Sequence, residues 1–270
     1  MADIKIFRYP GSKAKYTSIL KPYIANTINN SFADVFVGGG SVLLNIASSY
    51  PKIQLFANDK DDWVSAFWNI ISTNEVNELL KLIQVQPTIE LFNELSEKPP
   101  RDILEKAYYA LFFNRVCFSG IFKRNNGKVT SSPIGGKNQL SKYKVDCRYN
   151  AKSLTKNITL AHDLLKSRLV VTNLDFKGFL TDYHGAAYLD PPYVYKSDQL
   201  YNITMDMEQH KTLASILNNR SGWVLSYDDC DEVRELYKNC EIIDLSARYS
   251  IHGKKSAWAN KNELIILPRK

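Results

Sequence analysis

Short apolar runs alternate with amphipathic stretches along most of this 270-residue chain. Seven runs have the length and the β-branched or aromatic content typical of strands. They lie at 31–37, 53–57, 169–173, 186–190, 223–227, 241–245 and 264–267. Stretches with helical spacing follow most of these runs, which is the pattern of a largely parallel sheet with helices on both faces. The order therefore predicts one doubly wound α/β sheet closed by a final pair of strands.

The strand pattern is interrupted after the second run. Between 75 and 160 the apolar spacing is helical, with helices expected over 76–85, 89–95 and 102–113. Loops rich in Gly, Asn and Ser follow, and Asn125-Asn126-Gly127 is expected to form a hairpin turn. A further helix is expected over 158–166. We interpret 75–160 as an inserted domain, so that 1–74 and 161–270 together form the sheet domain.

The first strand leads into three glycines, Gly38 to Gly40, and then into a helix that we expect from Val42 to Ser49. Glycines at such a point permit a tight turn and a close approach of a ligand to the backbone, as at nucleoside-binding crevices. The second strand ends in Asp59, where an acid is well placed to hold a ribose diol. The alternatives are a glycine turn that serves packing alone and an aspartate that caps the helix starting near Asp62.

The fourth run ends in the tetrapeptide Asp190-Pro191-Pro192-Tyr193. Proline cannot donate to a strand ladder, so the strand must stop at Asp190 and the chain leaves it with restricted backbone angles. A carboxylate and neighbouring carbonyls accept hydrogen bonds, which suits an amino group, and a tyrosine face suits a flat ring. An aromatic ring with an exocyclic amine, such as adenine or cytosine, satisfies both demands. The alternative is an ordinary Pro-Pro turn.

Composition narrows the classes of protein. The apolar fraction of 44% is ordinary for a globular protein, and no apolar run approaches the length of a membrane span. The four cysteines show no Cys-x-x-Cys pair and no histidine at metal-ligand spacing, so we expect free thiols and no metal. Without a signal-peptide pattern at the N-terminus, a soluble cytoplasmic protein with no membrane partner is expected.

The net charge of +7 is concentrated in one segment, residues 114–156, which we call the basic segment. It contains ten lysines and arginines and a single acid, Asp146, whereas the rest of the chain has 25 basic and 27 acidic residues. Phe118, Phe122, Tyr143 and Tyr149 lie among these charges. Basic and aromatic residues together favour contact with a polyanion such as nucleic acid, and the alternative is a solvated charged surface.

Four motifs in this order resemble the Dam-type (alpha) group of DNA N6-adenine methyltransferases. They are Arg8-Tyr9-Pro10-Gly11-Ser12-Lys13, Asp34-x-Phe36-x-Gly38-Gly39-Gly40-Ser41, Asn58-Asp59 and Asp190-Pro191-Pro192-Tyr193. Ala247-Arg248-Tyr249-Ser250-Ile251 and Asn262-Glu263-Leu264-Ile265-Ile266 are also similar to that group. The resemblance implies a mixed, seven-stranded, Rossmann-like methyltransferase sheet with an inserted, mainly helical target-recognition domain. It also implies S-adenosyl-L-methionine as the cofactor and double-stranded DNA as the partner. The oligomeric state is left open by the sequence, with a monomer or weak dimer expected.

The resemblance implies a role for individual positions. Asp190, Pro191 and Tyr193 would be catalytic, with Tyr193 stacking on a flipped adenine. Residues expected to bind the cofactor are Tyr9, Lys13, Asp34, Phe36, Gly38, Gly40, Asp59, Asp175, Phe176 and Asp190. Residues expected to bind DNA, within the basic segment, are Arg115, Lys123, Arg124, Asn126, Lys128, Pro133 and Lys137. The resemblance implies GATC or a related sequence as the target. The spacing of Arg124, Gly127 and Pro133, where the hairpin would read bases, departs from the Dam pattern and so does not support GATC itself.

The expected reaction is a direct, in-line methyl transfer to N6 of an adenine that has left the duplex. Asp190 and the Pro191 carbonyl would accept the two amine hydrogens, so that the nitrogen lone pair faces the methyl group. The same tetrapeptide would suit cytosine-N4 or RNA adenine methylation. A third alternative is an inactive methyltransferase fold that only binds DNA.

Overall fold

The structure, a computed structural model, describes residues 4–8, 12–195, 202–245 and 263–269. Tyr9, expected to bind the cofactor, and the motif at 247–251 lie outside the described residues. The described strands are β1 Ser31–Asp34, β2 Gln54–Asn58, β3 Arg124–Asn125, β4 Lys128–Val129, β5 Leu169–Thr172, β6 Ala186–Leu189, β7 Trp223–Asp228, β8 Glu241–Asp244 and β9 Glu263–Leu267. The described α-helices are α1 Thr17–Ala25, α2 Ser41–Ser49, α3 Asp62–Ser72, α4 Val76–Leu82, α5 Ile89–Glu97, α6 Ile103–Val116, α7 Ala151–Leu165, α8 Phe176–Asp182, α9 Met207–Asn218 and α10 Asp231–Leu236.

Seven strands form one mixed sheet in the order β5-β2-β1-β6-β7-β9-β8. All of them run parallel except β9, which is antiparallel to both of its neighbours. The predicted α/β sheet and its closing strand pair are therefore confirmed. The strand order reverses between β1 and β6, so a crevice opens beyond the carboxyl ends of these two strands, where open sheets bind their ligands.

Alternating strand residues face two separate hydrophobic layers. Phe32 and Tyr188 pack on one face, whereas their neighbours Ala33 and Leu189 pack on the other. The first layer contains residues of α1, α2, α3, α6 and α7, and the second contains residues of α8, α9 and α10. Burial of both faces explains why the central strands are apolar throughout.

The inserted helices share their core with the sheet. Helix α6 is buried along most of its length and packs on α3, where the Trp63 and Tyr109 rings meet edge to face with centroids 5.6 Å apart. The segment 75–160 thus has no hydrophobic layer separate from that of the sheet's first face. The domain boundaries at 75 and 160 stay a prediction.

The expected hairpin turn is present. Arg124 pairs with Val129 and Asn125 with Lys128, and the two turn residues have positive φ angles, 48° at Asn126 and 76° at Gly127. This is the geometry of a type I′ turn, which the Asn-Gly pair favours.

Several helices differ from the prediction, and α6 runs to Val116 rather than 113. Helix α7 begins at Ala151 rather than 158, because the Asn150 side chain accepts the backbone N–H of Ser153 and caps a polar first turn. Helix α8 was not predicted, although the Asp175 side chain caps it by accepting the N–H of Lys177. Helix α4 ends at Leu82, short of the predicted 85.

Candidate active site

A cleft at the crevice beyond β1 and β6 gathers the motifs that the sequence singled out. It encloses about 1270 Å³ of atom-free space, including its open mouth. The described residues expected to bind the cofactor all line this cleft: Lys13, Asp34, Phe36, Gly38, Gly40, Asp59, Asp175, Phe176 and Asp190. Pro191 is buried and Tyr193 stands beside the cleft, whose wall at this point is formed by Asp190 and Pro192.

The glycine turn is fixed by a tryptophan that lies under it. Gly40, the residue before α2, has a φ of +68°, and a β-carbon there would lie 2.2 Å from Cζ2 of Trp68. The indole Nε1 of Trp68 donates a hydrogen bond of 2.9 Å to the Gly38 carbonyl. Both the left-handed angle and the close indole therefore require glycine at position 40, and the turn presents bare backbone to the cleft.

Asp59 is held at the tip of β2 by two backbone donors. Its Oδ2 accepts the N–H of Gly38 at 2.9 Å, and its Oδ1 accepts the N–H of Asp61 at 2.9 Å. Burial and the negative charge of Asp61 raise the pKa of Asp59 to about 7, against the effect of these two hydrogen bonds. The helix cap that the sequence left open as an alternative falls to Asp61, whose side chain accepts the N–H groups of Trp63 and Val64. Asp59 therefore keeps lone pairs directed at the cleft.

Asn58 fastens three strand ends around the cleft. Its side chain is 1% exposed, donates to the carbonyls of Val35 and Leu174, and accepts from Thr172 Oγ1 and Leu174 N at 2.8 and 3.0 Å. This fixes the ends of β1, β2 and β5 relative to one another. The sequence placed Asn58 in a motif but gave it no role.

Two rings form one wall of the cleft. Phe36, after β1, and Phe176, at the start of α8, have centroids 6.1 Å apart and an interplanar angle of 34°. A cleft wall of this kind suits a flat heterocycle. Asp175 beside them is committed to the cap of α8 and to an ion pair of 2.9 Å with Lys60.

A buried lysine holds the carboxylate at the end of β6. Lys13 is 3% exposed, and its Nζ donates to both oxygens of Asp190 at 2.8 and 2.9 Å and to the hydroxyl of Tyr193 at 2.7 Å. The Tyr193 hydroxyl in turn donates to Glu263 at 3.2 Å. Burial raises the pKa of Asp190, and Lys13 acts in the opposite direction. The carboxylate thus stands in a fixed orientation at the cleft wall.

Two further acids beside this lysine are also buried. Asp34, at the end of β1, is 3% exposed, and burial together with the charge of Asp190 raises its pKa well above the usual value. Glu263 opens β9 and is 6% exposed, with Lys13 Nζ at 3.9 Å. Because β9 runs antiparallel, its first residue lies at the same sheet edge as the ends of the parallel strands. The contact of Glu263 with Tyr193 is one that sequence reasoning missed. The available signal was an acid opening an otherwise apolar strand.

The rim of the cleft is tied to the inserted helices by Asn114. Its side chain, 1% exposed, accepts the Arg8 N–H at 2.7 Å and donates to the carbonyls of Arg8 and Gly120 at 3.1 and 2.9 Å. Gly120 lines the cleft and has a φ of +73°. Asn114 therefore links the N-terminal motif to the turn that follows α6, a role that the sequence did not reveal.

The residues expected to bind DNA fall into two groups. Asn126, Lys128 and Lys137 are exposed, and Lys123 is half-buried. Arg115, Arg124 and Pro133 instead make internal contacts. The Arg115 guanidinium donates to the backbone carbonyls of Lys5 and Ile6, and Pro133 is buried in a backbone bridge with Cys117. The contacts of all seven with DNA stay predictions.

Arg124 lies on the cleft side of its hairpin. It is 12% exposed, and its Nη2 lies 2.7 Å from Asp61 and 2.9 Å from Asp62. Its guanidinium carbon is 4.4 Å from the centroid of the Trp63 ring. Sequence reasoning grouped Arg124 with the exposed lysines, because composition does not distinguish a solvated cation from a paired one.

Within the described ranges, no cluster of three or more His, Cys, Asp or Glu side chains could hold a metal ion. No helix among those that the structure describes is long and apolar enough to cross a membrane.

Two comparisons with known proteins gave different results. A search of curated proteins found no matching sequence. A family model described as D12 class N6 adenine-specific DNA methyltransferase matches residues 9–251, most of the chain and all the elements that surround the cleft up to β8. The mixed sheet, with its cleft at the reversal of strand order and a Pro-Pro motif at the end of β6, is consistent with such an enzyme. The chain belongs to the D12 class of N6 adenine-specific DNA methyltransferases.

Proposed function

We propose that this protein transfers the methyl group of S-adenosyl-L-methionine to N6 of an adenine flipped out of double-stranded DNA, within GATC or a related sequence. Family membership supports adenine methylation of DNA. The donor, the flipping and the target rest on the site and on the motifs. Cytosine-N4 and RNA methylation, which the tetrapeptide alone left open, lie outside this family description.

The cleft has groups that fit each part of the cofactor. Asp59 offers carboxylate lone pairs to a ribose diol, the rings of Phe36 and Phe176 suit an adenine, and the bare glycine backbone admits close approach. The cleft opens to the surface, and its atom-free space of about 1270 Å³ includes that mouth, so a nucleoside with an amino-acid arm would have access to these groups. When bound, the cofactor supplies an electrophilic sulfonium methyl group.

Asp190 would bind the amine of the target base. Each carboxylate oxygen has two lone pairs, so Asp190 can accept an amine hydrogen while Lys13 remains bound. The Pro191 carbonyl would accept the second hydrogen, which would direct the nitrogen lone pair towards the methyl group. Asp190 need not remove a proton beforehand, because the amine becomes acidic once it is methylated. Positioning of the two reactants accounts for most of the acceleration.

Tyr193 would stack on the flipped base. Its hydroxyl is fixed by Lys13 and Glu263, and its ring lies 6.2 Å from that of Tyr227, so the ring has a defined orientation. A rigid aromatic face offsets part of the few kcal/mol that flipping costs. The exposed lysines of the basic segment would bind the phosphates around the target.

The observation that carries the proposal is the meeting of Asp190, Asp59 and the glycine turn in one cleft, from three separate strand ends. The test is incubation of the protein and labelled S-adenosyl-L-methionine with duplex DNA, followed by digestion to nucleosides. We expect the label in N6-methyl-2′-deoxyadenosine. Label in N4-methylcytosine, or transfer to RNA alone, would overturn the proposal, as would a folded protein that binds DNA without transferring label.

A further inference from the structure

The hairpin of the basic segment is joined to the cofactor end of the cleft by one side chain, Arg124. The hairpin is β3 and β4, and Arg124 is its first residue. The arginine bridges Asp61 and Asp62 at 2.7 and 2.9 Å and lies over the Trp63 ring. These three partners form the start of α3, which follows β2 directly. A planar guanidinium that is paired with two carboxylates and stacked on a ring has little rotational freedom.

Asp61 belongs to the hairpin contact and to the cofactor site at the same time. Its side chain caps α3 and pairs with Arg124, while its backbone N–H donates to Asp59. Asp59 then accepts the N–H of Gly38. A continuous series of polar contacts therefore runs from the hairpin through Asp61 and Asp59 to the glycine turn.

Aromatic packing reinforces this connection. Trp63 stacks on Phe122 with centroids 5.8 Å apart and meets Tyr109 edge to face. Phe122 precedes the hairpin by two residues and lines the cleft. At the turn end of the hairpin, the ion pair of Lys128 with Glu97, at 3.3 Å, is exposed to solvent.

We infer that Arg124 is a positioning residue that couples the DNA-recognition hairpin to the cofactor site through Asp61 and Asp59. The inference rests on the proposed function, since it takes the hairpin to bind DNA and Asp59 to bind the ribose. It differs from direct reading of a base by Arg124, which would require the guanidinium to leave two carboxylates and an aromatic face. Coupling is reciprocal, so bound cofactor should raise the affinity for DNA by the same factor by which bound DNA raises the affinity for the cofactor.

The coupling makes a prediction for the protein without DNA. Arg124→Met keeps the aliphatic stem over Trp63 but removes the charge that holds Asp61. We expect the Kd for S-adenosyl-L-homocysteine, measured by calorimetry without DNA, to rise by at least about fivefold, the lower end of typical coupling. The control Lys98→Met, at the end of α5, should leave this Kd within about twofold, because its ion pair with Glu94 is exposed.

A double-mutant cycle isolates the Arg124–Asp61 contact. Asp61→Asn keeps a side chain that can cap α3 but removes the charge. The effect of Arg124→Met on cofactor affinity should be markedly smaller in the Asp61→Asn background than in the native protein. Arg124→Lys should recover part of the affinity, since it restores the charge without the planar fork. Fully additive effects would overturn the inference.

Amide hydrogen exchange tests the coupling without any ligand. In Arg124→Met, the amides of Gly38 and Asp61 should exchange faster than in the native protein, whereas Lys98→Met should leave them unchanged. Unchanged exchange, or unchanged cofactor affinity alongside weakened DNA binding, would overturn the coupling in favour of base reading. If exchange responds as expected but the native protein binds no S-adenosyl-L-homocysteine, the coupling stands and the proposed cofactor is wrong.

Discussion

Charged residues are held in opposite ways in two regions of the molecule. One is the edge of the sheet at which the parallel strands end, and the other is the basic segment. At the edge, Lys13, Asp34 and Glu263 are buried and Asp190 is half-buried, and Lys13 contacts two of these acids. In the basic segment, lysines such as Lys137 and Lys142 stand in solvent. A buried, paired charge has one orientation and can place a reacting group, whereas a solvated charge attracts a polyanion over distance without directing it. Arg124 lies in the basic segment but is held like the residues of the edge.

The largest expected effect is at the carboxylate that the edge positions. Asp190→Ala should lower kcat for adenine methylation by about 10³-fold, because the amine loses its oriented acceptor. DNA affinity should stay within about twofold, since the basic segment is unchanged. Methyl transfer should be measured alongside circular dichroism, because Lys13 loses the carboxylate to which it donates two hydrogen bonds. Near-native turnover by folded Asp190→Ala would refute the assignment.

Loss of the buried cation should cost more stability than loss of an exposed one. Lys13→Met removes the cation that donates to both oxygens of Asp190, and we expect a loss of about 3 kcal/mol in the free energy of unfolding. Lys60→Met removes an ion pair whose members are 46% and 36% exposed, and it should cost less than about 1 kcal/mol. Urea denaturation of the two variants measures this difference, and equal losses would contradict it.

The loss in the free energy of unfolding caused by Lys13→Met should also depend on pH. Burial raises the pKa of Asp190, so the folded state favours the protonated form relative to the unfolded state. Removing Lys13 raises that pKa further, and the stability that protonation provides is lost as the pH rises. The deficit should therefore be larger near about pH 8 than near about pH 5. A stability loss that does not change with pH would show that it does not arise from the contact between Lys13 and Asp190.

Cofactor affinity should change through the titration of Asp59. Its pKa of about 7 means that the carboxylate is partly protonated near neutrality, and a ribose diol donates its hydrogen bonds to the ionised form. The affinity for S-adenosyl-L-homocysteine should therefore fall as the pH drops below about 7, by up to about tenfold per unit. Calorimetry across this range measures the slope. Asp59→Asn should bind weakly at every pH, and a slope that persists in this variant would assign the titration to another group.

The smallest effects are expected from single solvated lysines. Lys137→Ala should weaken DNA binding only severalfold and reduce the slope of log K against log salt by about 0.9 if the lysine neutralises one phosphate. Lys211→Ala, an exposed lysine of α9 outside the basic segment, serves as the control. Binding titrations at several salt concentrations measure both slopes. An unchanged slope for Lys137→Ala would remove that residue from the DNA interface.

Local signals were sufficient for the strands of the sheet, the hairpin and the polar strand ends. Apolar runs and turn residues predicted the strands of the sheet, and Asn126-Gly127 predicted the hairpin, because these depend on backbone preferences of a few neighbouring residues. Helix α8 was missed because its seven residues give too short a period to recognise. The start of α7 was missed because its first turn is polar and depends on a cap.

The sequence by itself determined the α/β class, the carboxylate at the end of β6, the glycine turn and the position of the excess positive charge. Only the tertiary structure decided which charges meet. Lys13 and Asp190 are 177 positions apart, and Arg124 and Asp61 are 63 apart. Such pairs follow from strand order and helix packing rather than from local preference, since a side chain's partners depend on the elements that the fold places beside it. The same residue type, lysine, is therefore solvated at position 137 and buried at position 13.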